Sequence, residues 1–198
     1  MDGHATLAGP CCHREEVRKS RFAAHAAPVA DAAAALRFIE ERRAADASHN
    51  CWAYRIGNQY RYSDDGEPGG TAGRPILQAI DGQGYDRVAV LVARWFGGIK
   101  LGTGGLVRAY GGCAANCLRA GTRIAWVPMA RVCCGCSHAE RGRLAPRLAA
   151  HGAAIEAERF SADGVVLELS VPRAALDALA SAVADLTRGR ASWAVLQE

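Results

Sequence analysis

The chain has 198 residues, half of them apolar and 22% charged; this is the composition of a globular protein and leaves room for one large domain or two small ones. Its longest aliphatic run, Val88–Ala93, is far too short to cross a bilayer, and Met1–Arg21 has no apolar segment of signal-peptide length, so no membrane contact is expected, and a cytoplasmic location with its eight cysteines reduced is. The formal net charge of +4 lies in the first part: residues 1–129 carry 16 basic and 12 acidic side chains, residues 130–198 carry 8 and 8, which permits a phosphate-bearing partner on the first part without requiring one.

In chain order, Met1–Val17 lacks periodicity and is expected to be a loose tail. Ser20–Val29 reads as a strand. Asp31–Asp46 reads as a helix capped by Asp31, with Leu36, Phe38 and Ile39 as its apolar contacts. Cys51–Ile56 and Tyr60–Ser63 alternate like paired strands around a Gly57-Asn58 turn. After a loop, Asp64–Gly73, Pro75 opens a short helix. Arg87–Trp95 is a strand whose apolar run predicts burial on both faces, and a glycine loop, Gly97–Gly104, leads into a helix from about Gly105 to Arg119. Gly121–Met129 is read as a crossover to a second domain.

Residues 130–198 predict strand Arg131–Gly135, a helix from a Ser137/Glu140 capping box to His151, strands Ala153–Phe160 and Val165–Val171, helix Arg173–Leu186 and strand Ala191–Leu196. That βαββαβ order is the ferredoxin-like arrangement. The fold class is therefore α/β (α+β) in two domains, 1–129 and 130–198.

Two segments concentrate chemistry. Asp64–Gly73 (DDGEPGGTAG) and Arg94–Gly112 (RWFGGIKLGTGGLVRAYGG) hold 11 of the 22 glycines in 29 residues. The second follows a buried strand and opens a helix, so the N–H groups of Gly102, Thr103, Gly104 and Gly105 would favour an anion beside Arg94, Lys100 and Arg108. The spacing is neither a P-loop nor a dinucleotide fingerprint. The competing reading is structural: glycines that allow close packing, Gly111 and Gly112 above all. The first segment offers three carboxylates, Asp64, Asp65 and Glu67, with Thr71 nearby. They would suit Mg²⁺, or else serve to neutralise Arg74, Arg94, Lys100 or Arg108.

Other candidates read as structural. Cys113 and Cys117 share a helix stripe with Leu106 and Tyr110. His49 beside Cys51 has no third catalytic member and reads as structural or as a rim residue of the glycine-rich site, and Cys133–Cys136 contains a single CxxC. No catalytic residue, metal ligand or cofactor is assigned.

Tyr62–Leu77 (YSDDGEPGGTAGRPIL), Arg94–Tyr110 (RWFGGIKLGTGGLVRAY) and the preceding HNCWAY at residues 49–54 resemble the signature of the IMPACT/YigZ family. The similarity runs from about Ser20 to Ala120, and residues 130–198 resemble the smaller C-terminal domain of bacterial members. The resemblance implies a first domain similar to one of a small-subunit ribosomal protein and a second like a ferredoxin-like domain of elongation factor G. It also implies a link to translation, since eukaryotic IMPACT proteins regulate initiation. The expected function is non-enzymatic binding of RNA, the ribosome or translation factors, with no motif for reading DNA sequence. The alternatives are a Mg²⁺-dependent nucleotide- or phosphate-ester-binding enzyme, using Asp64, Asp65 and Glu67 with Gly102–Gly105, and an interaction module acting through the neutral second domain.

Overall fold

The computed structural model describes residues 5–196. The chain divides into two compact units, Met1–Trp126 and Val127–Glu198. Among the described residues no helix is long and apolar enough to cross a membrane.

The first unit contains strands β1 (Ala5–Leu7), β2 (Cys11–Val17), β3 (Ser20–Pro28), β4 (His49–Ile56), β5 (Gln59–Ser63), β6 (Val88–Trp95) and β7 (Arg123–Ala125), with helices α1 (Ala32–Arg42), α2 (Gly73–Gly82) and α3 (Thr103–Ala120). Five strands form one antiparallel sheet in the order β2-β3-β6-β4-β5, and β1 pairs with β7. Alternation along a strand divides the sheet's residues between two cores. Phe22, Ala24 and Ala26 of β3 and Val88, Val90 and Val92 of β6 pack with Ile76, Ile80 and Tyr110 of α2 and α3. Ala89 and Leu91 of β6 face the opposite way, onto Ala35 and Ile39 of α1. The central strand is thus covered on both faces, as its apolar run predicts.

Three expectations are corrected. Residues 5–7 and 11–17 of the expected tail are β1 and β2; residues 1–4 lie outside the described residues. The period of β2 escapes a hydrophobicity reading because two of its four less exposed positions are polar: between Cys11 and Val17 lie His13 and Glu15. The carboxylate of Glu15 meets both His13 Nε2 (3.1 Å) and Asn116 Nδ2 (2.9 Å). The crossover contains β7, held by β1. Helix α1 is capped by Asp31 as expected but stops at Arg42. Beyond it the side-chain amide of Asn50 accepts from Ala44 N–H and donates to Ala44 C=O, taking over backbone groups that a longer helix would have used.

The second unit runs β8 (Met129–Cys136), α4 (His138–Ala150), β9 (Ala154–Phe160), β10 (Val165–Pro172), a 3-10 turn (Arg173–Ala175), α5 (Leu176–Thr187) and β11 (Ser192–Val195). Its antiparallel sheet has the order β11-β8-β10-β9. Val132, Leu167 and Leu169 from the sheet meet Leu144, Leu148, Leu179 and Val183 from the helices.

Glu140 fastens the start of α4. Its carboxylate accepts from Ser137 N–H (3.0 Å), from the Ser137 hydroxyl (2.8 Å) and from Arg190 Nη2 (2.5 Å). These contacts, the Ser137 backbone first, hold its pKa down at about 2 against an ordinary 4.5. A lowered carboxyl pKa stabilises the fold fully above the ordinary value, and that stabilisation is lost as pH falls toward the folded one. Glu140→Gln is expected to speed amide exchange in the first turn of α4 at neutral pH and to match the parent near pH 2. A difference that stays constant across that window would contradict this role.

Candidate functional site

The two glycine-rich segments meet at the end of β6. The 64–72 loop is organised by Asp64, whose Oδ1 accepts from Ala72 N–H (3.0 Å) and Gly73 N–H (2.8 Å) while Oδ2 accepts from Gly70 N–H (2.8 Å). This carboxylate caps α2 from a distance, which allows the helix to begin at Gly73, ahead of Pro75. Gly73 itself admits no side chain, since a Cβ would lie 2.7 Å from the carbonyl oxygen of Ser63. Asp65 points elsewhere. Its Oδ2 accepts from Asn50 N–H (2.6 Å) and its Oδ1 from Arg43 (3.4 Å), while its carbonyl oxygen lies 2.8 Å from His49 Nδ1. Thr71 closes the loop through its hydroxyl, which donates to Pro68 C=O (2.6 Å).

Glu67 alone turns inward. Its Oε1 accepts from Arg94 Nη1 (2.6 Å) and from the Tyr110 hydroxyl (2.7 Å), and His49 Nε2 stands 3.9 Å away. The three carboxylates therefore serve three different partners and do not converge, which removes the arrangement that a Mg²⁺-dependent reading needs. Among the described residues there is no cluster of three or more His, Cys, Asp or Glu suited to a metal.

Arg94 is buried between Phe22 and Phe96, its guanidinium 5.7 and 5.5 Å from their ring centres. Its Nη2 donates to Ser20 Oγ (3.3 Å), and its buried Nε has no hydrogen-bond partner. Helix α3 begins at Thr103, two residues before the sequence expectation. Its N-cap, Gly102, has φ +72°, and no side chain caps the helix. The first bond into the helix is Leu106 N–H to Gly102 C=O. A cavity of about 400 Å³ opens here, walled by Glu67, Arg94, Phe96, Lys100, Gly102 and Thr103. Across Leu101, which lines both, a cavity of about 280 Å³ has Gly105 and Arg108 in its wall.

Of the residues singled out from sequence, Glu67, Arg94, Lys100, Gly102 and Thr103 share the larger cavity, and Gly105 and Arg108 the smaller. Asp64, Asp65, Thr71 and Gly104 line neither. Of the cations expected to neutralise the loop, Arg94 does so; Arg43, not foreseen, takes Asp65. Tyr110 belongs to the expected core stripe, but its hydroxyl also serves Glu67, and Phe96, 50% exposed, stands on the rim.

Burial suppresses ionisation of thiols in the core. Burial first, then the nearby carboxylates, pushes Cys51 up to about 12, and its Sγ donates to Asp64 C=O (3.0 Å). Burial likewise raises Cys113 and Cys134 to about 12. All three cysteines of residues 133–136 lie within β8, where positions three apart point to opposite faces, so Cys133 and Cys136 cannot chelate together.

Residues 18–118 match the family model of the Impact N-terminal domain, and residues 134–190 match a domain of unknown function, DUF1949. The chain is 46% identical over 175 residues to an "IMPACT family member in pol 5'region" of Thermus thermophilus, covering 88% of this chain and 97% of that one. It is 35% identical over 205 residues to the IMPACT family member YigZ of Escherichia coli, with both chains covered in full. A crystal structure of a hypothetical protein, 34% identical, superposes with a TM-score of 0.72 over 100% of this chain and 99% of the other. The chain belongs to the IMPACT/YigZ family. Protein IMPACT of Xenopus laevis shares 37% identity over 105 residues, 47% of this chain and 33% of that protein.

Proposed function

We propose that this protein is a non-enzymatic, translation-linked RNA-binding protein whose first unit receives a phosphate at the entrance of α3. The observation that carries this reading is the α3 entrance. The cavity there is lined by Arg94, fixed by Glu67, and it holds the exposed Lys100 beside a helix terminus that no side chain caps. Uncapped helix N-termini favour anions through their free N–H groups and partial positive charge. Phe96 on the rim offers a face on which an unpaired base can stack.

The link to translation and to a cytoplasmic setting rests on the resemblance to IMPACT proteins. So do the reading of residues 1–129 as one domain and its similarity to a ribosomal-protein domain. The ferredoxin-like reading of residues 130–198 is supported by the βαββαβ order and by the strand order β11-β8-β10-β9.

The test is anisotropy of a labelled single-stranded RNA titrated with the full chain over a series of KCl concentrations. Log affinity should fall linearly with log salt, and Lys100→Ala should weaken binding and reduce the slope by about 0.7. Binding that ignores salt, or that Lys100→Ala leaves unchanged, would defeat the proposal.

A further inference from the structure

The turn between β2 and β3 is a two-residue loop, Arg18-Lys19, closed by the pairing of Val17 with Ser20. Both residues have left-handed backbones, with φ of 46° and 67°. Two-residue turns of this kind strongly favour Asn-Gly, because positive φ brings Cβ against the backbone, a cost that Gly escapes and Asn offsets by a local side-chain hydrogen bond. Here the two positions carry long cations, and both are exposed.

The turn is joined to the α3 entrance. The backbone of Gly97 packs so closely on it that a Cβ would lie 1.9 Å from Lys19 O. The Ser20 hydroxyl takes bonds from both Arg94 Nη2 and Gly97 N–H, each 3.3 Å. On the far side of Leu101, Arg18 and Arg108 face the cavity of about 280 Å³. The acid in its wall, Glu15, is occupied by His13 and Asn116. Among the described residues, Arg18, Lys19, Lys100 and Arg108 have no carboxylate at ion-pair distance.

We infer that the Arg18-Lys19 turn, with Arg108, is a second phosphate subsite, which holds a neighbouring phosphate of the RNA strand whose first phosphate sits at Lys100. The inference rests on the RNA-binding reading. It adds that the strand crosses the first turn of α3, with basic side chains on either side. The ligand chemistry is a phosphodiester chain with unpaired bases, since Phe96 can stack only on a base that is free of its complement.

Arg18→Asn/Lys19→Gly separates function from structure. It removes both charges and installs the residues the turn prefers, so the melting temperature should hold or rise. RNA affinity at low salt should fall roughly 10-fold, and the salt slope should drop by about 0.7, the one phosphate that this subsite holds on a single strand. Arg108→Gln, which leaves the turn to hold the same phosphate, should lower the slope by less than about 0.7. If the parent binds RNA and Lys100→Ala weakens it while the turn variant binds like the parent, this subsite is overturned and the first survives. Weaker binding with an unchanged slope and a lower melting temperature would mark a purely structural turn and also overturn it. If the parent shows no salt-dependent RNA binding, both readings fall.

Discussion

Replacing Glu67 with alanine is expected to cost the first unit about 3–5 kcal/mol of stability, the range for removing one member of a buried ion pair. Glu67 and Arg94 are 9% and 5% exposed, so the guanidinium left behind could not recover its hydration. The Tyr110 hydroxyl, whose titration burial already pushes far up, would lose its acceptor as well. Urea unfolding followed by the fluorescence of Trp52, Trp95 and Trp126, all in this unit, measures the loss. Tyr110→Phe removes one hydrogen bond to a charge and should cost less, about 1.5–3 kcal/mol. Joint replacement, Glu67→Leu with Arg94→Met, should recover part of the stability, because an apolar pair avoids the desolvation penalty. It should also abolish the anion site. A loss below about 1 kcal/mol for Glu67→Ala would place the pair among solvated surface bridges and would remove the premise that Arg94 is fixed in the cavity wall.

The same pair shows where reading a sequence stops. The helix α3, the doubly covered strand β6 and the capping box at Glu140 are local patterns, carried by period and by residues three or four apart, and all three were legible. The glycine-rich segments also marked the right region. What the sequence left open was which carboxylate turns inward. Asp64, Asp65 and Glu67 lie within four positions, yet one caps α2, one ties the loop to Asn50 and Arg43, and one reaches Arg94. Those fates depend on the sheet register that sets Arg94 opposite His49 and Phe22, which is a long-range fact. Strand β2 was missed for a related reason. Its less exposed positions His13 and Glu15 are polar, and Glu15 finds Asn116 only about a hundred residues later, so no window of sequence shows it satisfied. The basic turn Arg18-Lys19 was lost with it.

Gly97→Ala tests the junction between these parts and should be the most damaging of the glycine substitutions in the 97–105 loop. The obstacle is space: a Cβ would meet the backbone of Lys19 and Ser20, at 1.9 Å from O, 2.1 Å from C and 2.6 Å from N. Those atoms belong to a closed hairpin and cannot swing aside as a side-chain tip would. Overpacking against yielding neighbours costs 1–3 kcal/mol, so about 3 kcal/mol is expected here. Two controls divide the causes. Gly98 has open space but φ +84°, so Gly98→Ala should show only the left-handed penalty of about 1–2 kcal/mol. Gly69 has neither a near neighbour nor a positive φ, and Gly69→Ala should stay within about 0.5 kcal/mol of the parent. Thermal unfolding of the three variants gives the order. If Gly97→Ala proves as mild as Gly69→Ala, the hairpin and the loop are not in fixed contact. Arg18, Lys19 and Lys100 would then have no common frame in which to hold neighbouring phosphates. If it is severe, and the surviving folded fraction binds RNA with a reduced salt slope, the packing at Gly97 is what sets the spacing between the two basic edges of α3.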